Sequence, residues 1–202
     1  MAYLETVPVA QAQGDVREQY ARAQANAGYV PNYTQLFSLR PEVNAAWGTL
    51  LGTIRGTLDP RRYELVTLAA ARALRSSYCS LAHGKVLRDA HYAPSEVQAI
   101  ATAPDSAGLA PVDVAIMAFA AQVARDAPSV TAADVQGLRD HGLSDTEIFD
   151  VAAAASARCF FSTLLDALGA EPDAAYGALE PGLREALTVG RPITQHQDVR
   201  LP

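Results

Sequence analysis

Cys79 and His83 stand four positions apart in the stretch SSYCSLAHG, residues 76–84. On a helix that spacing puts thiol and imidazole on one face, where the ring can exchange a proton with the sulfur or hold a water beside it. Ser76 lies three residues before Cys79, and Glu64 fifteen before it. Together these residue types suit nucleophilic thiol chemistry, in which an imidazole and a carboxylate move the proton. A continuous helix from Glu64 to Cys79 would hold the two roughly 22 Å apart, so the carboxylate joins only if the chain turns between them.

The sequence "RSS" before Tyr78 supplies such a break. Ser76 or Ser77 is an N-cap residue type, so one helix ends near Leu74 and another starts at Tyr78. Cys79 then falls in a first helical turn, where unpaired N–H groups and the helix dipole favour an anionic sulfur. A carboxylate in the same pocket acts in two opposed ways. It repels an anionic sulfur, and as a base it accepts the thiol proton. Distances decide which wins.

Each residue also has a plain structural reading. Free cysteine packs as a small hydrophobe, so Cys79 alone reads equally as a core thiol. Cys159, among Ala157, Phe160 and Phe161, reads as core. Glu64 beside Arg61 and Arg62 reads as a solvated helix residue, and His83 as a core histidine. No CxxC or HxxxH pair completes a four-ligand zinc site, so no metal is expected, and no cofactor.

The elements that must position these groups are helices. Alanine and leucine are abundant, no run alternates in the manner of a strand, and the fold class is all-α. A helix is expected over about Gly14 to Ala27, followed by a turn in "GYVPNY". Pro41 opens a helix carrying Val43, Trp47, Leu50, Leu51 and Ile54 on one face. Gly56 to Pro60 breaks the chain, with Asp59 as N-cap and Pro60 at the first helical position of the Glu64 helix. Further helices are expected over Pro94 to Ile100 and Pro111 to Asp126, and after Thr131. A capping box of Ser144 and Glu147 opens a long helix ending at Leu168–Gly169. A short helix follows Pro181. Residues 1–187 read as one helical domain, with the motif at 64–83 and residues 188–202 as an extended tail that wraps a neighbour or frays.

The 202 residues are half hydrophobic and 19% charged, with a formal net charge of -6. That balance argues for a packed core and against a nucleic-acid or anionic-membrane surface. The N-terminus lacks the features of a secretory signal. The most apolar region, Val151 to Leu168, is broken by Ser156, Arg158, Ser162, Thr163 and Asp166, so no membrane span is expected. Two cysteines do not make a disulfide framework, and a cytoplasmic protein with free thiols is the simplest expectation.

The segment "LDPRRYELVTLAAARALRSSYCSLAHGKVLR", with Glu64, Cys79 and His83 at their spacings, resembles the alkylhydroperoxidase D-like, carboxymuconolactone decarboxylase superfamily. "GYVPNYTQLFSLRPEVNAAW" and "SDTEIFDVAAAASARCFFSTLLDALG" are similar to its longer, peroxidase-related members. The resemblance implies an all-helical fold forming dimers, trimers or hexamers, and an antioxidant peroxidase activity. It also implies roles. Glu64 matches the family's glutamate and His83 its histidine, which together relay protons. Cys79 matches the second cysteine of a Cys-x-x-Cys pair, which attacks a hydroperoxide. The first cysteine, which resolves the sulfenic acid as a disulfide, is Ser76 here.

Serine forms no disulfide. Resolution then falls to Cys159, if the two sulfurs meet, or to an external thiol reductant. Ser76 can instead hydrogen-bond His83. Two other readings stand beside the peroxidase. One is acid–base chemistry by Glu64 and His83 on a lactone, as in the decarboxylase branch. The other is a non-catalytic binding or assembly module.

Overall fold

A computed structural model of the chain describes residues 2–56, 58–196 and 199–201; Thr57, inside the expected Gly56–Pro60 break, and Pro202 lie outside them. Ten α-helices follow one another among the described residues: α1 (Gly14–Ala27), α2 (Asn32–Leu36), α3 (Pro41–Arg55), α4 (Pro60–Ala73), α5 (Ser77–Ala90), α6 (Pro94–Thr102), α7 (Pro111–Asp126), α8 (Ala132–Asp140), α9 (Asp145–Ala167) and α10 (Pro181–Leu187). No β-strand is formed among them; a single antiparallel bridge joins Val30 to Val199. The fold is all-α, as its composition implies.

Local chemistry sets most helix starts. Asp59 caps α4 by accepting from the Arg62 N–H at 2.9 Å, with Pro60 at the first helical position. Thr131 with Asp134 and Ser144 with Glu147 form capping boxes that open α8 and α9. Gly169, at φ +77°, follows the end of α9. The five-residue α2 falls where the sequence suggested only a turn. It is too short to show a periodic pattern.

Helix α4 is the axis of the molecule. Every residue from Tyr63 through Ala71 is buried, so this helix is enclosed on all sides. It packs on α5, α7 and α9. Leu65, Leu68, Leu81, Ile116, Phe119, Val151 and Ala155 belong to the main core around it. A second cluster, with Leu36, Phe37, Trp47, Tyr78, Cys79 and Phe161, lies where α2, α3, α5 and α9 meet. By length and composition α9 could cross a bilayer, yet 56% of its most apolar window is buried in the fold.

The turn from α4 into α5 determines where the thiol goes. The Arg75 N–H donates to the Arg72 carbonyl and the Ser76 N–H to the Ala71 carbonyl, both at 2.9 Å. That is a Schellman closure, whose left-handed position is normally glycine. Here it is Arg75, at φ +58°, a conformation costing a side-chain-bearing residue about 1–2 kcal/mol. The C-terminal segment braces it. The Gly190 N–H donates to Ser77 Oγ at 2.7 Å, and Arg72 donates to the Ala186 carbonyl.

The described residues beyond 187 make contacts with their own domain. The Thr194 N–H reaches the Pro172 carbonyl at 2.9 Å, and the Val30 N–H reaches the Val199 carbonyl at 2.8 Å.

Gly190 has no room to grow. A Cβ there would lie 2.1 Å from the Arg75 carbonyl oxygen, a backbone atom that cannot move without disturbing the turn. Gly190→Ala is expected to lower the unfolding free energy by about 1–3 kcal/mol, read from urea denaturation. An unchanged midpoint would contradict the bracing role.

Candidate active site

The α4–α5 turn folds the two helices back on each other and closes the gap that a straight helix would have left. Glu64 Oε2 and His83 Nδ1 meet at 2.6 Å. Glu64 is only 2% exposed, so it is not the solvated residue its arginine neighbours suggested. Those arginines turn the other way: Arg61 Nη2 and Arg62 Nε bind the buried Asp113 of α7 at 2.8 and 3.0 Å. The second oxygen of Glu64 faces the half-exposed Arg55 at 3.5 Å.

Cys79 is the third residue of α5 and is buried. It nonetheless lines a cavity of about 360 Å³, with His83, Ala82, Asn44, Arg158 and five aromatic residues, Tyr33, Trp47, Tyr78, Phe161 and Tyr176. Cys79 and His83 thus share one chamber, and Glu64 stands behind the ring. The residue before the cysteine is pinned hard. Tyr78 donates its hydroxyl to Asp173, whose other oxygen accepts from the Asn32 N–H at 2.7 Å. The Tyr33 N–H donates to the same Tyr78 hydroxyl at 3.2 Å. Burial and the Asp173 charge push the Tyr78 phenol well above its ordinary range, so it remains a donor.

Sequence reasoning missed Arg158. It is 3% exposed and donates through Nη1 to Cys79 Sγ at 3.6 Å. Its guanidinium lies near Trp47 and Phe161, 5.8 and 5.5 Å from the ring centroids, within cation–π reach of both rings. The available signal was a lone basic residue in a 23-residue apolar helix.

Burial, then the Arg158 charge, lowers the His83 pKa below the usual 6.5; the Glu64 bond opposes this without reversing it. A neutral ring bonded to a carboxylate through Nδ1 carries its hydrogen there and leaves Nε2 as a proton acceptor.

Two expected contacts are not formed. The Ser76 hydroxyl is fully buried and does not bond His83; it lies beside the Asp166 carboxyl, whose charged form it favours by hydrogen bonding, although no partner meets it at ideal geometry. Cys159 turns its sulfur to the Ala155 carbonyl of its own helix at 3.4 Å, and it does not line the cavity. Burial raises its thiol pKa. Both cysteines are free. Among the described residues no cluster of three or more His, Cys, Asp or Glu side chains could hold a metal ion.

Residues 41–122 match the carboxymuconolactone decarboxylase family. No curated protein matches the chain in sequence. The fold is shared with a peroxidase-related protein from Ralstonia eutropha JMP134 that has an alkylhydroperoxidase AhpD core. That protein is 25% identical at a TM-score of 0.78, over 87% of this chain and 94% of the other. A peroxidase-related protein from Silicibacter sp. TM1040 superposes at a TM-score of 0.79 with 22% identity, over 88% and 94%. The debrominase Bmp8 superposes at 0.69 with 16% identity, over 85% and 91%, and shows the same fold. The chain thus carries a segment, residues 41–122, that matches the carboxymuconolactone decarboxylase family, within a helical fold shared with two peroxidase-related proteins.

Proposed function

We propose that the protein is a thiol-dependent oxidoreductase that reduces hydroperoxides at Cys79. The observation that carries this reading is the buried 2.6 Å bond between Glu64 and His83, behind a cavity that Cys79 also lines. His83 takes the thiol proton on Nε2, while Glu64 steadies the imidazolium that forms. The sulfur then bonds to the terminal oxygen of the hydroperoxide and the O–O bond breaks. The departing alkoxide takes the proton from His83 and leaves as an alcohol. Cys79 is left as a sulfenic acid. Ser76 cannot resolve it, and the sulfur of Cys159 faces its own backbone. An external thiol must therefore attack, releasing water and forming a mixed disulfide that a second thiol reduces. Ser76 serves as buried packing at the helix start.

One observation favours a second reading. The Glu64–His83 pair is complete without sulfur, and position 76 lacks a resolving thiol. Acid–base chemistry on a lactone would need only the pair. The related fold of a debrominase shows that peroxide reduction is not the only chemistry such a scaffold carries. Replacing Cys79 with alanine separates the two readings, since lactone turnover that survives the change favours the second.

Brief treatment with an alkyl hydroperoxide at near-neutral pH, followed by a dione that traps sulfenic acids, is expected to label the Cys79 peptide in mass spectra. The Cys79→Ser protein should give no label at that peptide. Absence of label in the unaltered protein contradicts the peroxidase reading.

The His83 pKa sets the acid limb. Because the folded value lies below 6.5, the neutral ring persists below that pH. The rate constant kcat/KM should fall on acidification through an apparent pKa under 6.5. Removing the Arg158 charge with Arg158→Gln should move that limb upward. Stability follows the same sign. The depressed value favours the folded state above 6.5, and that contribution is lost as pH falls through the lowered pKa. A limb unmoved by Arg158→Gln contradicts the coupling.

A further inference from the structure

Arg158 carries a charge that no described carboxylate neutralises. Its side chain is buried, yet among the described residues no carboxylate comes within ion-pair distance of it. It donates to the Cys79 sulfur and stands beside the Tyr63 phenol, whose ionised form its charge favours, while its Nε makes no hydrogen bond. Arginine has five N–H donors and is always charged, and buried charges are ordinarily paired. Glu64, the carboxylate behind His83, is already engaged by His83 and Arg55. Around Arg158 and His83 stand a second guanidinium, Arg55, and the Glu64 carboxylate, while Asp173 lies on the far side behind Tyr78 and is engaged by its hydroxyl.

The cavity that Arg158 lines is otherwise a box of flat rings. Trp47 and Phe161 sit near the guanidinium, and Tyr33 meets Tyr78 edge to face at 5.9 Å and Phe161 at 5.5 Å. At about 360 Å³ it suits a small ligand. Flat apolar walls favour a flat, unsaturated body, and an arginine with no carboxylate partner favours an anionic group such as a carboxylate.

We propose that this cavity binds a small, planar organic carboxylate, its anionic end on Arg158 and its body among the aromatic rings beside the Cys79 sulfur. This narrows the hydroperoxides proposed above to those whose body is planar and carries a carboxylate, and it rests on that reading. Arg158 is then the residue that determines specificity for the acid, and its contact with Sγ brings the bound anion next to the nucleophile.

Trp47 is the only tryptophan in the chain and lines the cavity, so its fluorescence reports occupancy without any chemistry at sulfur. Benzoate is expected to change that emission saturably at constant ionic strength. Benzyl alcohol, of the same shape without the charge, and chloride should not. Arg158→Gln should weaken benzoate binding at least tenfold, and Arg158→Lys, which keeps the charge but loses the fork, should fall between. If Arg158→Gln fails to fold, the Arg158→Lys protein carries the comparison. No saturable change with benzoate, an equal response to benzyl alcohol or chloride, or affinity indifferent to the Arg158 substitution would overturn the proposal.

Alkylation separates this from failure of the thiol reading. Iodoacetate and iodoacetamide each form a sulfur–carbon bond at Cys79 and expel iodide, and the thiol proton goes to solvent. A bound-anion site raises the iodoacetate-to-iodoacetamide rate ratio above that of free cysteine, and Arg158→Gln should return it to the free value. Equal ratios with and without Arg158 count against the anion site. A Cys79 inert to both reagents, with benzoate still binding through Arg158, removes the thiol chemistry and leaves the anion site standing.

Discussion

One short contact between two helices organises the site. Glu64 and His83 lie nineteen residues apart and meet at 2.6 Å in a buried position. A carboxylate taken out of water needs compensation, and the ring nitrogen supplies it. The bond then fixes which imidazole nitrogen faces the cavity. Without it the ring could turn, and its acceptor nitrogen would no longer be directed by anything on α4. The thiol, the arginine and the aromatic wall all depend on that orientation for their chemical meaning.

That contact requires α4 and α5 to reverse sharply, and the reversal is not free. A side chain occupies the left-handed position at Arg75, where glycine would cost nothing. The surrounding structure holds it there. Gly190 lies against the Arg75 carbonyl, Ser77 accepts from its N–H, and Tyr78 is tied to Asp173 and the start of α2. Segments distant in the chain thus brace the first turn of α5 on several sides. Strain next to a candidate nucleophile, over-determined by its neighbours, is the usual arrangement at a working site.

The sequence made some of this legible. Helix boundaries at Asp59–Pro60, Thr131 and Ser144 followed from capping chemistry, which is local. The shared face of Cys79 and His83 followed from their spacing. The approach of Glu64 to His83 did not. It depends on a left-handed residue that is not glycine, which no composition signal marks; the serines at 76 and 77 marked a break, and the resemblance pointed to the pairing across it. Arg158 was harder still. It sits seventy-nine residues from Cys79, and which face of α9 meets α5 is decided by tertiary packing. The short α2 and the path of the last residues were invisible for the same reason, since contacts with distant segments hold them. Ser76 was legible as a substitution, but the absence of its hydrogen bond to His83 was not.

The account stands on the imidazole being neutral, protonated at Nδ1 against Glu64, with Nε2 bare toward the cavity. Nitrogen-15 NMR of the histidine side chains reads this directly, with His83 assigned by its loss in His83→Gln. At pH 7 the account predicts a protonated Nδ1 and an unprotonated Nε2, the pattern being lost in Glu64→Gln. A His83 protonated at Nε2 alone, or carrying both protons at that pH, would contradict it.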